Sequence, residues 1–165
     1  MEEELVWMKA IASKMDIPGR TDLAYIALIA VLHSLRDKLD LQQIFQLSAY
    51  LPLKIRGIYF EGYDPEKVEV IIYNNKLLIS YRNRMGPSNS RYFENYLNRN
   101  GTEKINGEEL TETIREKLKP INGINPDRAF KAVIEVIFEN IPYEDTNVNN
   151  IKNLVDLNMG FQTQS

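Results

Sequence analysis

Residues 22–35 read DLAYIALIAVLHSL, and residues 127–140 read DRAFKAVIEVIFEN. Laid one on the other by a shift of 105, five of the fourteen pairs are identical: Asp22/Asp127, Ala24/Ala129, Ala27/Ala132, Ile29/Ile134 and Val31/Val136. Tyr25/Phe130, Leu28/Val133 and Leu32/Ile137 agree in shape. The flanking segments agree too, Ile11 with Ile114 and Met15 with Leu118, so the order helix, turn, Asp-led apolar helix, short helix reads twice. Each half presents an apolar central helix that it cannot bury alone. Two such halves facing each other give one core. The second copy is the more polar, with Lys131 for Ile26 and Glu135 for Ala30, so the first should hold the deeper core.

Working outward, Leu5, Met8, Ile11 and Met15 recur at spacings of three and four and predict an amphipathic helix. Asp16-Ile17-Pro18-Gly19 ends it. The central helix should start at Thr21 or Asp22 as N-cap and run to about Leu39. Its first half is apolar on every side, which predicts burial all round, and only Arg36-Asp37-Lys38 look solvated. Asp40 can cap a third helix carrying Leu41, Ile44, Phe45 and Leu47. Pro52 restarts the chain into a fourth, with Leu53, Ile55, Ile58 and Tyr59 inward and Gly62 at its close.

After Tyr63-Asp64-Pro65 the period changes. KVEVIIY at 67–73 and LLISYRN at 77–83 flank Asn74-Asn75-Lys76 and predict a β-hairpin. A Gly/Pro/Ser loop and a short helix at 91–99 follow. Helices resume over about 106–118, 127–141 and 148–157. The expected architecture is a single domain over 1–165, mainly α: two pseudo-repeated helical halves packed as one bundle, with a β-hairpin insertion between them. Residues 5–63 form the first half, 64–105 the insertion, 106–157 the second half and 158–165 a frayed tail.

The stretches AVLHSLRDKL at 30–39 and LSAYLPLKIRGIYFEGYDP at 47–65 resemble the signature of the bacterial family called Domain of Unknown Function 2267. The resemblance implies a small, duplicated, all-helical protein and no established activity. Tyr63 stands where the family pattern has Trp, and 66–105 is longer than the usual linker.

Composition narrows the chemistry. Of 165 residues 44% are hydrophobic, and 20 basic side chains face 23 acidic ones, a net charge of −3 that does not favour a dedicated polyanion binder. The absence of cysteine removes disulfides, thiolate zinc sites and thiol nucleophiles, and a single histidine removes multi-imidazole sites. No cofactor and no metal is expected. The longest apolar run, Leu23 to Leu32, is about half the ~20 residues a membrane helix needs, so the expectation is a cytoplasmic protein without membrane attachment.

Three groups of residues carry the function hypotheses. His33 could couple with Asp37 one turn on as an acid–imidazole pair; the simpler reading is a core-edge histidine bonded to a carboxylate or carbonyl. Arg56, Tyr59, Glu61, Tyr63 and Asp64 form a mixed polar–aromatic set suited to a protein partner, with Gly57 allowing close approach. From Lys76 to Lys104 six basic residues stand against two acidic ones, interleaved with aromatics, so Arg82, Arg84, Arg91, Tyr92 and Tyr96 are the ingredients of a nucleic-acid surface. Glu108-Glu109 and Glu135/Glu139 read as dipole complementation and a solvated helix face. The leading expectation is a non-enzymatic protein-binding or scaffold module, self-associating through the hairpin edge or the 56–65 surface. Nucleic-acid binding through the 76–104 segment is the alternative, and an enzyme using His33 is the third.

Overall fold

A computed structural model describes residues 2–39, 41–63 and 107–159, together with the backbone of 68–73 and 76–81. Seven helices occur among the described residues: α1 (Glu3–Lys14), α2 (Thr21–Arg36), α3 (Leu41–Ser48), α4 (Leu53–Phe60), α5 (Gly107–Leu118), α6 (Pro126–Glu139) and α7 (Thr146–Met159). Glu3 and Glu4 occupy the positive end of α1, where the macrodipole favours acids. Its other end is a Schellman turn. Asp16 takes the left-handed conformation at φ 62°, its N–H reaches Ser13 O, and the Ile17 N–H reaches Ala12 O at 3.0 Å. Aspartate tolerates that conformation, and Pro18 then prevents continuation.

The α2 start differs from expectation. Neither Thr21 nor Asp22 caps it through a side chain; Asp22 instead receives both Arg20 Nε and Nη2, at 3.0 and 2.9 Å. At the start of α6 the cap is present: the Asn125 side chain accepts from Arg128 N at 3.1 Å, and Pro126 occupies the first turn, where its missing N–H costs nothing.

The helices interleave. Helix α2 packs on α1, α4, α5 and α6, while α1 also packs on α6 and α3 on α7. One apolar core runs through both ends of the chain, from Trp7, Ile11, Leu28 and Leu32 to Ile114, Phe130, Val133 and Ile151. Fully burying a side chain of this size is worth about 1.5–3 kcal/mol, and that term holds the layers together. Helix α2 is not sealed all round, however. Tyr25 is 43% exposed and Ile26 and Ile29 are half-buried, so one side of the central helix meets solvent. Leu5, Phe45 and Leu53, expected inward, are exposed; Trp7, Ile44 and the pair Ile55/Tyr59 fill the adjoining interior. In each case the apolar stripe lies a residue or two around the helix from the predicted one.

The expected fold class is corrected in its β component. The interpretable fold is mainly α, and a β-hairpin insertion is no part of its bundle. The backbones of Val68–Tyr73 and Lys76–Tyr81 run antiparallel to each other, and among the described residues the main packing partners of every helix are other helices. A two-stranded ribbon is marginal alone. Alternating β-branched residues report local backbone preference, and that preference does not make an insertion part of a core. The short helix expected at 91–99 and the tail from 160 lie outside the described residues. Among the described residues no helix is long and apolar enough to cross a membrane.

Candidate functional site

The end of α4 is where the two quoted stretches, 30–39 and 47–65, meet. An α-helix leaves its last carbonyls without intrahelical donors. In α4 these are met from α2. His33 and Arg36, three residues apart on one face, both reach across: His33 Nε2 lies 2.6 Å from Ile58 O, and Arg36 Nη1 donates to Tyr59 O at 2.9 Å and Glu61 O at 2.8 Å. Arg36 Nε donates to Asp37 Oδ1 at 3.1 Å, and the guanidinium sits 5.5 Å from the centroid of the Tyr63 ring. Gly62, at φ 73°, then turns the chain away.

Arg36 is only 5% exposed, which contradicts its reading as part of a solvated last turn. A buried charge is tolerable only when its donors are paired, and a carboxylate, two carbonyls and an aromatic face provide the partners here. The sequence held a signal for this: Arg36 continues the column of Leu28 and Leu32, both fully buried, at helical spacing. His33 is half-buried and engaged with a backbone carbonyl, while Asp37 accepts from Arg36.

Arg56 does for α3 what Arg36 does for α4. Its Nε donates to Ser48 O at 2.9 Å and its Nη2 to Leu51 O at 3.1 Å. Tyr59 is fully buried and donates to Ile44 O at 3.2 Å; burial pushes its phenol above the ordinary tyrosine range, against a smaller opposing pull from the Arg36 charge. Of the five residues expected on a protein-binding surface, Arg56 and Tyr59 therefore hold the interior together. Glu61 is exposed, Tyr63 is half-buried, and Asp64 lies outside the described residues.

Apolar side chains that the sequence reading placed inside take up the outer surface. Phe45 is 55% exposed and stacks at 5.6 Å on Phe60, which meets Tyr59 edge-on at 5.1 Å and Tyr63 at 6.3 Å. Leu53 is 79% exposed at the opposite end of α4. Between them Gly57 faces open space, with no atom within 4 Å of where a Cβ would stand.

Elsewhere, Arg115, Lys119, Gly123 to Asp127 line an open groove of about 530 Å³ at the turn between α5 and α6. Arg115 is engaged there with Asp127, at 2.8 and 2.9 Å, and that pairing holds the Asp127 carboxyl below its ordinary range. Glu135 and Glu139 are more than a solvated face: both accept from Lys14, at 3.3 and 3.0 Å, joining α6 to α1. These bonds, first to Glu139 and then to Glu135, raise the Lys14 pKa. Arg82, Arg84, Arg91, Tyr92 and Tyr96 lie outside the described residues. Among the described residues no three His, Asp or Glu side chains converge as metal ligands.

Two comparisons complete the site. The profile of a family described as "Uncharacterized conserved protein (DUF2267)" matches residues 6–148. No curated protein matches the chain.

Proposed function

From the fact that the chain belongs to the DUF2267 family, whose resembling residues here join α2 to α4, we propose that it is a non-enzymatic protein-binding or scaffold module. The observation that carries the reading is a division of labour at α4. The polar side chains suited to chemistry, His33, Arg36 and Arg56, are engaged with backbone carbonyls. Large apolar side chains face outward at both ends of α4, Phe45 near Phe60 and Tyr63 at one end and Leu53 next to Lys54 at the other. Aromatic and aliphatic anchors rimmed by charge are the composition of a protein-binding patch.

Duplication and a bacterial, cytoplasmic setting belong to the same proposal. Duplication is supported by Ala24, Ala27, Leu28 and Val31 and their counterparts at the 105-residue shift, Ala129, Ala132, Val133 and Val136, all of which are buried. The test of function is affinity capture with immobilised full-length chain, comparing wild type with the double variant Phe45→Ser, Leu53→Asp. Both positions are exposed, so the variant should keep its helical spectrum and melting temperature while losing the captured partner. Equal capture by the two proteins, or none by either, would count against the patch.

A further inference from the structure

The outward face of α4 consists of Leu53, Lys54, Gly57, the half-buried Ile58 and, one residue past the last turn, Glu61. Gly57 is at its centre. Neither crowding nor a positive φ requires glycine there, yet glycine is a poor helix former. A position where another backbone must come close does require it.

The charges around Gly57 are arranged in a particular sense. Lys54 precedes it by three residues and Glu61 follows by four, which at helical rise is about 4.5 Å to one side and about 6 Å to the other. Two copies of α4 crossing antiparallel at Gly57 would bring each Lys54 level with the other's Glu61 to within about 1.5 Å along the axis. A parallel crossing would set lysine against lysine and glutamate against glutamate. The antiparallel crossing also carries Leu53 of one copy to the end of α4 where Phe60 and Phe45 of the other lie. A face that is its own complement under a two-fold rotation is what an isologous dimer needs. Within one chain Lys54 reaches the exposed Glu2 and the half-buried Glu4, at 3.2 and 3.0 Å; the Glu2 pair exchanges at little cost, and Lys54 itself is well exposed and within reach of a second copy. The Glu61 carboxylate has no side-chain partner among the described residues.

We infer that α4 is a self-association surface, pairing antiparallel with α4 of a second copy across Gly57. The inference rests on the protein-binding reading above and names its partner. An eight-residue helix buries little area, so the dimer is weak and reversible, with a Kd in the micromolar range or above.

Sedimentation equilibrium on the full chain, from micromolar to millimolar concentration, tests it. Wild type should dimerise with concentration. Gly57→Leu should raise the Kd about tenfold or more, and Lys54→Glu or Glu61→Lys alone should raise it about threefold to tenfold. The double variant K54E/E61K should recover the wild-type Kd, which a folding defect could not do. Gly57→Ala keeps the control honest: it should raise the melting temperature of the dilute protein while weakening the dimer. A strict monomer throughout, or a dimer indifferent to Gly57→Leu and to both charge reversals, would overturn the inference. A monomer that still captures a different protein through Phe45 and Leu53 would overturn self-association alone. A monomer that captures nothing would remove the protein-binding reading as well.

Discussion

The last turns of α2 and α6 occupy corresponding places at the 105-residue shift, yet they are built from opposite materials. His33 and Arg36 in the first correspond to Phe138 and, two residues past the end of α6, Ile141. All four lie against protein, and Phe138 and Ile141 are buried as apolar packing. The difference follows from what each end must meet. Helix α2 ends against the carbonyl end of α4, and buried carbonyls need donors. Phe138 and Ile141 instead join the continuous apolar core, where no donor is called for. The same position in a helix can thus be polar or apolar according to whether its neighbour arrives side-on or end-on.

The comparison can be broken in a graded way. The largest effect expected is from Phe138→Ala, which removes a buried ring and should cost about 3–5 kcal/mol in urea unfolding. Next, Arg36→Met keeps the bulk but leaves two carbonyls without their donor, and should cost about 3 kcal/mol. Arg36→Lys should recover only part of that, because an ammonium cannot match the forked donation and ring contact of the guanidinium. A cost for Arg36→Met under ~0.5 kcal/mol would mean the clamp holds nothing. His33→Ala loses one partly buried hydrogen bond and should cost about 1 kcal/mol, measured the same way.

The smallest effect separates surface pairing from the buried clamp. Asp127 has its folded pKa depressed by Arg115 below the ordinary value of 3.8. The sign follows directly: the pair stabilises the fold above that ordinary value, and the contribution disappears as pH falls through the depressed one. Both partners are about half exposed, so solvent screening limits the gain to a few tenths of a kcal/mol. Urea midpoints of wild type and Asp127→Asn should differ slightly at neutral pH and converge in acid. A gap that widened in acid would reverse the assignment.

Much of the helical frame is legible in the sequence, because apolar periodicity and Pro/Gly punctuation act locally. Asp16 to Gly19, Pro52 and Gly62 mark their boundaries through backbone geometry that needs no tertiary contact. The rotation of each helix is less legible. Leu53 and Phe45 look inward on composition, yet they face out because Ile55 with Tyr59, and Ile44 with Leu47, already fill the core. Arg36 shows the converse. Its charge suggests water, but its partners are carbonyls from a helix more than twenty residues away, which no local pattern displays. The alternation at 67–73 and 77–83 speaks only of local backbone preference, which carries no information on whether the bundle has a place for an insertion.

The central claim is that Arg36 and His33 hold α4, and so the face it displays, onto α2. Native-state amide hydrogen exchange tests it most directly, since exchange resolves local opening from global unfolding. In Arg36→Met the amides of Ile55 to Glu61 should lose far more protection than those of α6. Uniform loss across both helices, or unchanged protection in α4, would contradict it.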